Sequence, residues 1–124
     1  MKPAALLVAA LSLFAGGSGL KVTLTAPNHT PKIKVRWSYT VHETVNGKAA
    51  AARITVQIVD PIGGVNPVQY DGTKKNITNW RFAGVFRDYV IWPAESRDIR
   101  LTFRVTVVTA HAKKVLNYHV TPHA

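Results

Sequence analysis

Basic side chains occur at alternate positions in two segments that have the pattern of β-strands. Residues 32–36 and 100–104 each carry lysine or arginine two or four positions apart. Because successive side chains of a strand point to opposite faces, these cations are expected on the solvent side of their strands, with a nearby turn adding two lysines. If the strands share one sheet, the cations form a wall suited to polyanions. The predicted polyanion-binding residues are Lys32, Lys34, Arg36, Arg100, Arg104, Lys113 and Lys114.

A solvated surface that is merely basic is the alternative interpretation of the same residues. The partners that we expect are anionic polymers of a cell envelope, or another surface protein. Nucleic acid is not an expected partner, because nucleic-acid surfaces interleave aromatic rings with the charges, and the solvent faces of these segments carry no aromatic residue.

The three tryptophans suggest a second kind of binding site, because flat aromatic rings can stack on the faces of sugars. Trp37 lies on the apolar side of its strand and is expected in the core. Trp80 and Trp92 flank a predicted strand and could lie at its loop ends. The alternative prediction is therefore a carbohydrate-binding site at Trp80 and Trp92, with structural packing as the competing interpretation.

The residues that most catalytic or metal sites need are missing or badly spaced. The chain has no cysteine, no glycine-rich phosphate loop and no Gly-x-Ser-x-Gly nucleophile motif. His119 and His123 are four apart in a strand and its tail, which separates them rather than bringing them together. Oxygen ligands for calcium in predicted loops are Asp60, Asp71, Glu95 and Asp98. Six acids are too few for a dense site, so the sequence predicts no enzyme, no cofactor and no metal; a small metalloprotein or hydrolase ranks last.

The composition is that of one small, folded and strongly basic domain. The 124 residues are 47% hydrophobic, and 16 lysines and arginines against six acids give a net charge of +10. A length of this order has room for a single core. The lack of cysteine means that no disulfide supports that core, a feature more typical of bacterial exported modules than of secreted animal domains.

The first 19 residues have the three parts of a secretory signal. Lys2 precedes about a dozen apolar residues, and small residues follow at 16–19. The apolar run is too short for a comfortable membrane span, although an uncleaved anchor and a structural helix stay open as alternatives. We predict a signal peptide at 1–19, cleaved near Gly17 or Gly19, a mature domain at 20–124 with no stable membrane span, and a secreted or cell-surface location.

Residues 20–124 alternate between apolar and polar side chains in segments separated by turn residues. The clearest segment, 33–41, places Ile33, Val35, Trp37, Tyr39 and Val41 on one face. Segments at 20–25, 53–59, 99–109 and 115–121 alternate in the same way, and 66–79 is polar and irregular with very short edge strands. In 82–91 the two halves differ in parity, and we predict a bulge near residues 87–88. The sequence predicts an all-β sandwich of about seven strands.

The order of these segments resembles that of immunoglobulin-like and fibronectin-III-like domains of bacterial exported proteins. The resemblance rests on KVTLTAP at 21–27, ITVQI at 54–58, WPA at 92–94 and LTFRVTV at 101–107, and it extends over residues 20–121. It implies a single immunoglobulin-like β-sandwich and no binding residues, because the family has no shared site. The function predicted from residues and resemblance together is a non-enzymatic exported surface or interaction module, with a carbohydrate-binding module as the alternative.

Overall fold

The computed structural model describes residues 19–124, so apart from Gly19 the predicted signal peptide at 1–19 lies outside the described residues. None of the helices among these residues is long and apolar enough to cross a membrane. The strands are β1 (Leu20–Thr25), β2 (Arg36–Val45), β3 (Ala51–Val59), β4 (Val65–Pro67), β5 (Trp80–Ala83), β6 (Val85–Ile91), β7 (Leu101–Val108) and β8 (Lys113–Val120). Two short 3-10 turns lie at Tyr70–Gly72 and Ala94–Ser96.

The strands form two antiparallel sheets that enclose one core. The three-stranded sheet has the order β1-β2-β6, and the five-stranded sheet has the order β4-β3-β7-β8, with β5 also pairing with β3. Alternation explains both sheets, since in β2 and β7 every second residue is buried while its neighbours face solvent. The predicted all-β fold class is confirmed, with eight strands rather than about seven.

The core is centred on packed aromatic rings. The ring centroid of Phe103 lies 5.2 Å from that of Trp37 and 4.8 Å from that of Tyr39, both with edge-to-face geometry. Trp92 adds a further edge contact with Trp37 at 5.5 Å. Such pairs are worth about 0.5–1.5 kcal/mol each beyond the area they bury, which helps a small core without disulfides.

The start of β2 differs from the prediction for 33–41. Lys34 adopts a left-handed backbone with φ of 64°, which ends the strand alternation there, and β2 begins only at Arg36. As a result Val35 is 49% exposed rather than in the core. The backbone N–H of Lys34 donates to the carbonyl of Trp92, so this segment lies beside the loop after β6.

The change of parity in 82–91 has a different cause from the predicted bulge. Gly84, with φ of 77°, separates β5 in the five-stranded sheet from β6 in the three-stranded sheet, so the chain crosses between sheets there. Within β6 the residues Phe86 and Val90 are buried without interruption of the alternation. The predicted bulge near residues 87–88 is therefore wrong.

Glu43 is a completely buried carboxylate that holds this crossing point. Its Oε1 accepts hydrogen bonds from the backbone N–H groups of Gly84, at 3.0 Å, and Ala50, at 3.3 Å. The backbone N–H of Glu43 in turn donates to the Gly84 carbonyl at 2.8 Å. The side chain thus ties the β5–β6 crossing to the segment that leads into β3.

Candidate functional site

Four cations share the outer face of the five-stranded sheet, which we call the basic face: Arg53, Arg81, Arg104 and Lys113. Arg53 faces Arg81 directly on β5 and Val108 on β7, and Val108 in turn faces Lys113 on β8. Arg81, Arg53, Val108 and Lys113 therefore form one row across four strands. Neighbouring positions in this row are about 4.8 Å apart, which is the spacing of adjacent strands. Arg104 lies four residues from Val108 on β7, about 13 Å along the same face.

No carboxylate lies on the basic face itself, because none of its five strands contains aspartate or glutamate. Two of the six acids, Glu43 and Asp88, are buried in the three-stranded sheet. The other acids lie between strands and are Asp60, Asp71, Glu95 and Asp98. Across the described part of the chain, the only salt bridge joins Arg97 to Asp98, at 3.5 Å between two exposed side chains. Such pairs contribute about 0–1 kcal/mol, so the positive charge of the molecule is largely uncompensated.

A cleft of about 470 Å³ lies at one end of the basic face, beside Arg53 and Arg81. Its floor is made by small residues where β3 extends past the end of β7, including Ala51 and Ala110. Arg53 Nη1 donates to the backbone carbonyl of Asn79 at 3.2 Å, which anchors the guanidinium over the start of β5. The cleft therefore combines a small-residue floor with two adjacent cations.

The outer face of the three-stranded sheet is basic too, but less uniformly. It carries Lys21, Arg36 and Arg87, and the Arg36 guanidinium lies 4.0 Å from the ring centre of Tyr89. A hydrogen bond with the Asp71 side chain raises the pKa of Tyr89, so a carboxylate lies at the border of this face. The two faces thus differ in whether an acid borders the cations.

The structure does not bring the seven predicted polyanion-binding residues into one wall. Arg104 and Lys113 lie on the basic face, whereas Arg36 lies on the opposite sheet, because β2 and β7 belong to different sheets. Lys32 and Lys34 precede β2, Arg100 precedes β7, and Lys114 faces the buried Val107 in the ladder and has the inward parity of β8. The predicted single stripe is corrected accordingly.

Two residues of the basic face, Arg53 and Arg81, are not among the seven predicted polyanion-binding residues. The alternation of Ile54 and Val56 already placed Arg53 on the solvent side of its strand, so that signal was present in the sequence. Arg81 lay between the irregular region 66–79 and the ambiguous segment 82–91. Only the pairing of β5 with β3 places it opposite Arg53.

The predicted carbohydrate platform loses one of its two residues. Trp92 is completely buried against Trp37 and Phe103, so its ring cannot stack on a ligand. Trp80 is half-buried, packs on the core and stacks on Tyr70 with ring centroids 4.6 Å apart. The carbohydrate prediction therefore depends on Trp80 alone.

A second group of polar residues lies between β2 and β6, where Tyr39 faces Asp88 in the ladder. Asp88 Oδ1 accepts the backbone N–H of Asp71 at 2.9 Å, while its Oδ2 and the hydroxyl of Tyr39 are buried with no hydrogen-bond partner. Burial raises the pKa of Asp88 above the ordinary carboxyl range. Burial, helped by the charge of Asp88, also raises the pKa of Tyr39. Between residues 19 and 124 no three histidine, aspartate or glutamate side chains are grouped to hold a metal ion.

Comparison with known proteins gives no family for this chain. No protein-family model matches it, and no curated protein matches it. Among solved structures it is similar to a DUF4466 family protein from Parabacteroides merdae ATCC 43184, with a TM-score of 0.45 and 19% sequence identity. The match covers 86% of this chain and 44% of that protein, so the chain spans less than half of the length of that protein.

Proposed function

We propose that the chain is a non-enzymatic interaction module that binds anionic polymers through the basic face. The observation that carries the proposal is the set of four cations, Arg53, Arg81, Arg104 and Lys113, on five strands that contain no carboxylate. A single-sign surface of this kind attracts a polyanion over a distance of about a Debye length, ~8–10 Å at ordinary salt. If the chain is exported, as its first 19 residues suggest, the polymers are those of a cell envelope.

The shape of the basic face suits an extended ligand better than a compact one. Five strands give a broad surface on which the backbone positions of neighbouring cations are about 10–14 Å apart, except for Arg53 and Arg81, which are adjacent. Threonines fill the middle of this surface, with Thr55 facing Thr106 between β3 and β7. A polymer with regularly spaced negative groups could contact several cations at once, and hydroxyl groups would donate hydrogen bonds between them.

We also propose that the sandwich is of the immunoglobulin-like type. The support is strand order: the first, second and sixth strands share one sheet, and the third, seventh and eighth share the other. Immunoglobulin domains distribute their A, B, E and C, F, G strands in the same way. The chain departs from antibody domains in lacking cysteine and in carrying its central tryptophan, Trp37, on the second strand. This class of fold displays binding surfaces without specifying their ligands.

A paired charge-removal experiment tests polymer binding. Residues 19–124 carrying Arg104→Gln and Lys113→Gln are compared with the matched pair Lys21→Gln and Arg87→Gln, which removes the same charge from the opposite sheet. Binding to long-chain polyphosphate is measured by calorimetry at low salt. Because each cation near an anionic surface contributes about 1 kcal/mol, the first pair should weaken binding roughly 30-fold and the control pair much less.

Two results would contradict the proposal. Equal losses in the two double variants would mean that net charge, and not the basic face, determines the affinity. Failure of the unaltered protein to bind polyphosphate at low salt would remove the proposal altogether.

A further inference from the structure

We infer that the cleft beside Arg53 and Arg81 is a discrete binding site for a single phosphate-type oxyanion, such as a phosphoester group. This inference goes beyond the proposed function, because it assigns a small-molecule site to one end of the basic face. It does not depend on polymer binding, because a free phosphate or a small phosphate ester would occupy the same site.

The cross-strand register places two like charges side by side. Arg53 and Arg81 are directly opposed in the β3–β5 ladder, where Cβ atoms lie about 4.5–5.5 Å apart. Like charges in this position destabilise a sheet, and no carboxylate of the described residues lies within ion-pair distance of either guanidinium. An anion held between the two cations would remove this repulsion, so the pair is better matched to an occupied site than to an empty one.

Arg53 is held in place before any ligand arrives. Its Nη1 donates to the Asn79 carbonyl, and the backbone N–H of Asn79 donates to Thr55 Oγ1 at 3.0 Å. The segment that anchors Arg53 is thus fixed to β3 itself. Only one of the five guanidinium donors is used in this way, which leaves several for an oxyanion. Preorganised arginines are the side chains that proteins use most for bidentate phosphate contacts.

The floor of the cleft indicates what else the ligand carries. Apart from the two arginines, the lining consists of three alanines, Thr109, Val108 and the aromatic Phe82. The alanines let the ligand approach the backbone closely. The volume of about 470 Å³ exceeds that of one oxyanion and leaves room for a compact uncharged group beside it. The lining residues that the argument uses are Ala51, Ala52, Arg53, Arg81, Phe82 and Ala110. A phosphoester with a small organic substituent fits this combination of charge and apolar lining.

Chemical-shift titration of the isotopically labelled protein tests the site directly. The probes are inorganic phosphate and methyl phosphate, with acetate and chloride as comparisons at matched ionic strength. The amides of Ala51, Ala52 and Ala110 should shift saturably with both phosphates. Loss of one charge-assisted contact, in Arg53→Gln or Arg81→Gln, should weaken phosphate binding at least about tenfold. Arg87→Gln, which removes one charge from the opposite sheet, should leave it unchanged.

The outcomes separate this inference from the proposed function. Shifts that spread over all basic residues without saturation, or equal losses in Arg87→Gln and Arg81→Gln, would overturn the cleft site even if polyphosphate still binds the basic face. Saturable phosphate binding in the cleft together with no polymer binding would support the site and contradict the polymer proposal. Equal affinity for acetate and phosphate would make the site a general anion site and overturn the assignment to phosphate.

Discussion

Asp88 is a carboxylate in an environment that suits a neutral side chain better. One of its oxygens accepts the Asp71 N–H, and the other is buried without a partner, as is the nearby hydroxyl of Tyr39. Burial raises its pKa, so the folded protein binds a proton more readily at Asp88 than the unfolded chain does. Stability linked to this residue is therefore greatest at acid pH and is lost as pH rises through the folded-state pKa.

Asp88→Asn should stabilise the protein at neutral pH. The amide oxygen can still accept a hydrogen bond from the Asp71 N–H, and no charge has to be buried. We therefore expect the free energy of unfolding to rise by about 1 kcal/mol at pH 7. The gain should shrink toward acid pH, where Asp88 itself becomes neutral. Urea unfolding followed by tryptophan fluorescence between pH 4 and 8 measures both effects.

The matched control is Asp60→Asn. Asp60 Oδ1 accepts two backbone N–H groups in a turn, from Ile62 and Gly64, and the residue is only half-buried. This substitution should give no gain at pH 7. A loss of stability at neutral pH would show that Asp88 is needed as a carboxylate, and a gain that does not change with pH would show that the ionisation of Asp88 is not its cause.

At the level of elements, the crossing between β5 and β6 depends on Gly84. Its φ of 77° lies in the left-handed region, and a Cβ added there would come within 2.9 Å of the Ala49 Cβ. Both its N–H and its carbonyl are bonded to Glu43, which leaves the backbone little freedom to move away. The transfer of the chain from one sheet to the other thus requires a residue without a side chain.

Gly84→Ala should lower the free energy of unfolding by about 2 kcal/mol or more, because backbone strain and a steric contact add together. Gly63→Ala is the control, since Gly63 has φ of 87° but nothing within 4 Å of an added Cβ. The Gly63→Ala variant should lose only the part of the free energy of unfolding that comes from backbone strain, about 1 kcal/mol. Thermal unfolding of both variants compares the two costs, and equal losses would mean that the Ala49 contact is relieved without cost.

The sequence predicted strands well and their partners poorly. Alternation within 20–25, 53–59 and 101–107 depends only on local burial, and it placed these strands and the inward residues of β1, β3 and β7 correctly. The predicted basic stripe assumed that the segments around Arg36 and Arg104 share a sheet, and this depends on long-range pairing that alternation does not encode. The place of Trp92 stayed open between a sugar-binding surface and structural packing for the same reason, since its neighbours Trp37 and Phe103 come from other strands.

For the whole molecule, charge is separated by position rather than balanced. Of the six acids, two are buried and four lie between strands, while cations occupy both outer faces. With a net charge of +10 and one exposed salt bridge among residues 19–124, self-repulsion works against the compact state. A bound anion, as proposed above, would reduce this repulsion.

Arg81→Glu should therefore make the protein more stable and remove its phosphate site. The new carboxylate would face Arg53 in the ladder, and a cross-strand pair of opposite charge is worth about 0.2–1 kcal/mol in place of a repulsion. We expect a rise in Tm of roughly 2–5 °C at low salt, decreasing as salt screens the pair.

Lys113→Glu makes the same change in net charge opposite an apolar residue, Val108, and should raise Tm less. Calorimetric scans in 20 mM and 500 mM NaCl compare the two variants. An equal rise in both would assign the effect to net charge alone, and a fall in Tm for Arg81→Glu would show that the paired arginines carry no cost that an anion could relieve.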